Sequence, residues 1–516
     1  MSTKPTIPPS PPSVTSRHVA KGVGSTLLAR LGAVIEVVTQ PMYVALFGLA
    51  SFGLHAVLWA AVNVLENVCD LGMTGALQRT VPQAQSEAEA VASLRAAILL
   101  GVVPCIIIAA IVTIIAPSLV NIFNASVADT GQLGAIIPLF VWTLPLWAFV
   151  EIATSALRAR QVFGAEVRIR WFWEQVVRLA VTVILWMIGV GTVALFYAHL
   201  ISLSVICLIC VRMLGQYYDL RLLFVCTNER PIWKDTLFAG LAILPSNIVA
   251  RLFSDAPTIA LNAWLPGANG AAAAGLFAIV RKISSIVQLV RIAFAHVLAP
   301  LASLASTANR AMVQDIYGFA TRVSITVALP LGAILAAWSA VVLGIFGAEA
   351  RVALPAFAAL VVARVIEAIV GTASPVQQVI SGYRSQLAGS ILGVAVAVLI
   401  GWWVMPAGGL TGVTISVSAG IVIAAIVPLW QVNRYERIHP FAAPFSGTAI
   451  RATAIAVTGF VLSQICLAAP ALLYPPLFIA SLTASLWCAA RFALPPQDRA
   501  ALGNIGRVLR LTTATQ

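Results

Sequence analysis

Residues 270–300 read GAAAAGLFAIVRKISSIVQLVRIAFAHVLAP. At 1.5 Å per residue, a helix of this length crosses a hydrocarbon core of about 30 Å. Within the apolar run, Arg281, Ser284, Ser285, Gln288 and Arg291 fall at helical spacing and form one polar face, with Lys282 on its flank. A charge at the centre of a membrane helix costs roughly 2.5–3.5 kcal/mol on insertion scales. The segment therefore reads as a membrane helix whose polar face is turned from lipid, and it needs other helices around it.

The rest of the chain supplies them. Of 516 residues, 60% are hydrophobic and only 9% charged, and the mean hydropathy is +0.97. Soluble domains carry about 25% charged residues, so a soluble globular, disordered, collagenous or disulfide-rich protein is excluded. About fourteen apolar segments lie between residues 22 and 494. The fold class is an all-α polytopic membrane protein. The net charge of +13 is read as topology rather than nucleic-acid binding, because basic residues gather in cytoplasmic loops. An even number of spans with both termini cytoplasmic gives the strongest loop asymmetry. The connections are short, and no extramembrane domain is expected.

Residues 1–21 form a tail rich in Pro, Ser and Thr, read as disordered, with no cleaved signal peptide expected. Cys207 and Cys210 form a CxxC, but in an apolar helix, where a redox or zinc role lacks a polar setting. His296 and His439 are placed near the inner surface, His55 near the outer one and His199 in the sixth segment. None has a second ligand at metal spacing, so no metal site is expected. No P-loop, hydrolase elbow or dinucleotide fingerprint occurs.

The first twelve segments repeat. Pro41 matches Pro257, Gly53 matches Gly270, Pro82 matches Pro300, Glu151 matches Glu367, Gln161 matches Gln377 and Gly191 matches Gly409, at a nearly constant offset. Each repeat holds an even number of spans, so the halves insert in the same orientation. Parallel repeats put a substrate site between halves that rock against each other. The expected boundaries are an N-lobe of segments 1–6 (residues 22–235) and a C-lobe of segments 7–12 (236–447). Two extra segments (448–494) and a cytoplasmic tail (495–516) follow.

Seven basic residues fall inside segments: Arg30, Arg178, Arg251, Arg281, Lys282, Arg291 and Arg364. Facing lipid together they would cost about 20 kcal/mol, beyond the margin of most proteins. They must face the interior, water or acidic partners. Segment 8 presents a basic wall where its repeat mate, segment 2, carries Asn63, Glu66, Asn67 and Asp70. One reading is a wet cavity with an anion site. The other is ion pairing that only holds the bundle, and Arg251 with Asp255, Glu174 with Arg178 and Arg364 with Glu367 are spaced for it. Segments 1 and 7 each combine a proline with charge: Arg30, Glu36 and Pro41 in one, Arg251, Asp255 and Pro257 in the other. Such bends suit helices that line a cavity and move. Asp70 is read as a structural or gating residue near Arg79.

Phe52-Gly53-Leu54 before segment 2, Asp70-Leu71-Gly72 at its end and Gln78-Arg79 beyond belong to a recognisable pattern. So do Gly275-Leu276-Phe277-Ala278 through Arg281-Lys282 to Ala299-Pro300, Gln377-Gln378 to Gly382, and Gly408-Gly409. Over about residues 20–495 the chain resembles the polysaccharide-type (Wzx-like) flippases of the multidrug/oligosaccharidyl-lipid/polysaccharide (MOP) exporter superfamily. The resemblance implies flipping of an undecaprenyl-pyrophosphate-linked oligosaccharide across the bacterial inner membrane by alternating access. It implies polysaccharide polymerase and glycosyltransferase partners, no nucleic acid, no catalytic residue and no cofactor beyond a coupling proton or sodium ion. On this reading Arg30, Arg251, Arg281, Lys282 and Arg291 meet the diphosphate through charge-assisted hydrogen bonds. Glu36, Glu66 and Asp255 are the candidates for ion coupling. Trp171 and Trp173 are candidates for sugar stacking or interfacial anchoring, and the prenyl tail stays in lipid along a groove near segments 13 and 14. Two alternatives stand beside it: a cation-coupled multidrug exporter of the same superfamily, and a polytopic enzyme acting on lipid-linked sugars.

Overall fold

The computed structural model describes residues 31–160, 162, 167–224, 230–306, 310–380, 383–441 and 443–502. Every regular element among them is helical. A bilayer offers no water to backbone groups, so a spanning chain must satisfy them internally, as a helix does. The N-lobe comprises α1 (Leu31–Phe47), α2 (Leu49–Cys69), α3 (Met73–Gln83), α4 (Glu87–Leu119), α5 (Leu133–Phe140), α6 (Thr143–Ala159), α7 (Glu174–Met187) and α8 (Ala194–Tyr217). The C-lobe comprises α9 (Arg230–Ser254), α10 (Ala256–Trp264), α11 (Gly267–Ser306), α12 (Arg310–Ala337), α13 (Leu354–Val370) and α14 (Tyr383–Gln431). Two further helices follow, α15 (Phe445–Cys466) and α16 (Tyr474–Cys488).

Among the described residues, 11 helices are long and apolar enough to cross a membrane. Three of the fourteen segments of the sequence are not counted separately: one shares a run with its neighbour, one is described only in part, and one is a short helix. The longest candidate, Leu387–Glu436, has 50 residues and contains Gly409 at φ 48, ψ −123. Across that point Gly393 packs against Gly420, and Gly401 against Ser416. The α14 run is thus two antiparallel arms joined by a turn, whose positive φ suits glycine. The described part of α1 has 17 residues. α7 has 14, and the helical stretch Val167–Trp173 extends it at its start.

The lobes meet at both ends of α2. At its beginning, a Cβ on Gly53 would lie 1.8 Å from the Ala271 carbonyl oxygen, so α2 and α11 cross at backbone contact. Beside this crossing, the Asn124 backbone N–H donates to the Asn262 side chain at 3.1 Å, and the Asn124 amide donates to the Asn262 carbonyl at 2.7 Å. The Asn262 amide returns a bond to the Asn124 carbonyl at 2.6 Å, and the Gly267 N–H donates to the Asn124 side chain at 3.0 Å. At the other end of α2, about 30 Å away at helical rise, Gly72 lies against Gly240 of α9.

The segment-7 helix is broken where the sequence placed its proline. α9 ends at Ser254 and α10 begins at Ala256, with Pro257 in its first turn and Asp255 at the break. α15 and α16 pack on α12. The Gln464 side chain donates to the Ala337 carbonyl at 3.2 Å, and Trp338 meets Tyr474 and Phe478 edge-on. Arg322 of α12 and Asp498 close this side with two hydrogen bonds of 2.6 and 2.9 Å.

Candidate functional site

Two polar chambers flank the middle of α11. One, of about 500 Å³, lies inside the C-lobe and is lined by Arg281, Lys282, Ser285, Gln288, Arg291, Arg364 and Glu367 among others. The other, of about 320 Å³, lies between the lobes, where Asn63, Arg170, Glu174, Arg178, Arg251 and Asp255 meet Arg281 and Lys282. Ser254, Arg281 and Lys282 border both chambers. The α11 spacing puts them there: its hydroxyls bond back to their own helix, Ser284 to the Arg281 carbonyl and Ser285 to that of Lys282, which leaves the long basic side chains to line the chambers.

The acids arrive from elsewhere in the chain, and three of them are each shared by two arginines. Glu151 of α6 lies 2.9 Å from Arg170 and 3.8 Å from Arg251. Asp255, at the helix break, lies 3.2 Å from Arg281 and 3.8 Å from Arg251. Glu367 of α13 lies 2.6 Å from Arg364 and 3.2 Å from Arg291. Arg281 also donates to the Ser254 carbonyl at 2.5 Å. The basic wall expected from α11 is therefore corrected: Arg251, Arg281 and Arg291 are not bare cations, because carboxylates that the sequence disperses converge on them. A surplus remains. Seven basic groups line the chambers against three carboxylates, Glu174, Asp255 and Glu367. Counting Glu151 and Glu66 as well leaves two positive charges in excess among the described residues.

The pairs read as local in the sequence form only part of the network. Glu174 and Arg178 stand 3.6 Å apart, and Arg178 also donates to Gln175. Glu367 holds Arg291 as well as its own helix neighbour Arg364. Arg170 was not singled out by the sequence. It lies 4.5 Å over the Trp147 ring as a cation–π contact while bonding Glu151.

Glu66 is 2% exposed and forms no ion pair with a described residue. It lies within electrostatic reach of Glu151, Asp70, Arg251 and Arg170. Asp70 accepts from the Thr74 N–H and hydroxyl at 3.3 and 3.2 Å, a local cap rather than a contact to Arg79. Arg30 and the side chains of Glu36, Trp171 and His296 lie outside the described residues, and Trp173 is 46% exposed. His55, near the start of α2, is buried among side chains: its Nε2 meets Nδ1 of His199 at 2.9 Å, within rings from Trp59, Phe140 and Phe196. This pair joins α2 to α8 inside the N-lobe. No group of three or more His, Cys, Asp or Glu side chains that could hold a metal ion occurs among the described residues.

Solved structures share the fold. An inward-facing multidrug resistance MATE family transporter of the MOP superfamily aligns with a TM-score of 0.59 at 20% identity, covering 80% of this chain and 100% of that one. The lipid II flippase MurJ, in an inward closed conformation, aligns at 0.70 and 11% identity, over 90% and 98%. A variant of the Vibrio cholerae MATE transporter VcmN aligns at 0.61 and 15%, over 82% and 98%. The all-helical fold, with 11 helices able to cross a membrane among the described residues, makes the protein a multi-pass membrane protein with the fold of these MOP transporters. A family model described as "Polysaccharide biosynthesis protein" matches residues 19–305. The chain belongs to that polysaccharide biosynthesis family. A comparison with curated protein sequences finds no match.

Proposed function

We propose that the protein carries a polyprenyl-diphosphate-linked oligosaccharide across the bacterial inner membrane, with both termini cytoplasmic, by alternating access between the lobes. The observation that carries this reading is the set of three carboxylates each shared by two arginines, within a chamber of surplus positive charge. A shared carboxylate leaves guanidinium donors available, and a diphosphate matches their bidentate geometry. The cargo's anion replaces carboxylate contacts at Arg251, Arg281 and Arg291 and meets Lys282 beside them, while sugars occupy the polar space toward Asn63 and Gln288. The hydrocarbon chain stays in the bilayer. A cationic drug meets the opposite field, since like charges brought together without an intervening anion are repelled; this favours the anionic cargo over a multidrug substrate.

Alternating access follows from the seams. The glycine crossing at Gly53 and the Asn124–Asn262 bonds join the lobes at one end, and Gly72 against Gly240 joins them at the other; alternate release of these two seams exposes the chamber to one side and then the other. Asp255 is engaged by two arginines and serves as a counter-ion. Glu66, buried and without an ion pair among the described residues, is the carboxyl through which a proton drives the return.

The test is flipping of a fluorescent polyprenyl-diphosphate oligosaccharide by purified protein in liposomes, read as protection from an external quencher. Protein-dependent movement of this lipid, but not of a cationic dye, is expected. Dye transport without movement of the lipid would reverse the assignment.

A further inference from the structure

On the far side of the helix break lies a third cavity, of about 540 Å³ and of opposite chemistry. Its walls come from the end of α9, from α10 and from both arms of α14, and include Pro257, Val398, Met405 and Val417. The hydroxyl of Ser416 is already committed to the Gly412 and Val413 carbonyls, at 2.7 and 3.1 Å. The lining therefore suits hydrocarbon and leaves a headgroup's donors and acceptors without partners. Val398, Trp402 and Trp264 at its mouth are 63%, 79% and 55% exposed, so the cavity opens on the face that meets lipid.

Phe253 belongs both to this wall and to that of the C-lobe chamber. Its ring is seated where the two arms of α14 cross. A Cβ on Gly393 would lie 3.0 Å from Phe253 Cζ, and one on Gly420 would lie 2.8 Å from its Cε1. The two glycines make a notch that takes the ring. The Phe253 ring thus borders a basic chamber and an apolar one.

We propose that the apolar cavity is a binding site for the polyprenyl chain of the transported lipid, holding the isoprene units next to the diphosphate. This rests on the function proposed above. Any lipid covers an apolar face, but this cavity adjoins the basic chamber across a single side chain. A ligand whose anion is attached directly to a long hydrocarbon fills both sides. The cavity also sits at the end closed by the Gly53 crossing, because Trp264 lies just before Gly267 of the asparagine latch. The chain is therefore held in the leaflet at the Gly53 end of α2.

The experiment uses the full chain in lipid nanodiscs with two photoreactive probes. One is a polyprenyl diphosphate bearing a diazirine in its first isoprene units. The other is a phosphatidylglycerol with a diazirine at matched depth. Crosslinks from the prenyl probe are expected at Val398, Met405 and neighbouring residues, to be competed by unlabelled polyprenyl diphosphate and to exceed those from the phospholipid at least tenfold. Gly401→Leu fills the cavity, since its new Cβ would meet Ser416 Oγ at an ordinary 3.4 Å. It should cut prenyl labelling about tenfold while a probe with its photogroup on the sugar still labels the chamber. Equal labelling by both probes, or prenyl labelling confined to α15 and α16, overturns the site while leaving the proposed cargo standing. No competed labelling anywhere by either polyprenyl or sugar-side probe overturns the cargo, and the site with it.

Discussion

Replacing Arg281 and Lys282 together with glutamine tests the chamber most directly. Arg281 Nη1 stands 3.2 Å from Asp255 and 2.5 Å from the Ser254 carbonyl, with its side chain 30% exposed. A hydrogen bond to a charged group contributes about 1.5–3 kcal/mol, and partial exposure puts this one at the lower end. Tenfold in affinity corresponds to about 1.4 kcal/mol, so each substitution should weaken polyprenyl-diphosphate binding about tenfold and the pair about a hundredfold. Folding should survive, because Asp255 keeps Arg251 at 3.8 Å and is not left as an isolated buried charge. Glu367→Gln supplies the contrast. It leaves Arg291 and Arg364 facing each other without their common anion, and removing one partner from a buried pair costs about 3–5 kcal/mol of stability. Binding titrations in nanodiscs, run beside thermal unfolding, separate the two effects. Wild-type affinity in the Arg281→Gln/Lys282→Gln protein, with an unchanged unfolding midpoint, would refute the assignment of these side chains to the headgroup.

Glu66→Gln should still flip lipid but lose its response to an imposed pH gradient; an undiminished response in the liposome assay removes Glu66 from coupling. Asn124→Cys with Asn262→Cys, in a background without other cysteines, should crosslink on oxidation and stop flipping, with recovery on reduction; flipping that continues in the crosslinked protein means that this seam need not open. Gly53→Ala sets a Cβ 1.8 Å from the Ala271 oxygen and should raise thiol labelling of a cysteine placed at position 262; unchanged labelling argues against the close crossing. Asp498→Asn removes a charged partner from Arg322, in a pair with side chains 7% and 13% exposed, and should lower the unfolding temperature by several degrees, as measured by differential scanning fluorimetry.

The architecture was legible because the bilayer imposes it: a run of apolar residues about 20 long has little choice but helix. The polar face of α11 was readable for the same reason, since Arg281, Ser285, Gln288 and Arg291 recur at helical spacing inside such a run. What the sequence could not reveal is which acids meet those bases. Glu151 stood out only as a position matching Glu367 in the two repeats, and Glu367 otherwise only as a neighbour of Arg364 along its own helix, yet each holds two arginines. Their role depends on neighbouring helices being set in register, which spacing along one helix does not encode. Arg170 sits beside two tryptophans at the edge of an apolar segment; only the tertiary fold, which sets the Val167–Trp173 stretch against α1 and α8, brings it to Glu151. His55 and His199 are separated by 144 positions, and neither has a local signal of the other.

The carboxylate of Glu151 belongs to the first lobe, and Arg251, 3.8 Å away, belongs to the second. A ligand anion that claims this guanidinium therefore cuts a fastening between the two bodies in the act of docking. On the proposed function, binding of the anion would loosen the lobes, and the emptied protein would need the Glu66 proton to do the same. The passenger is its own key.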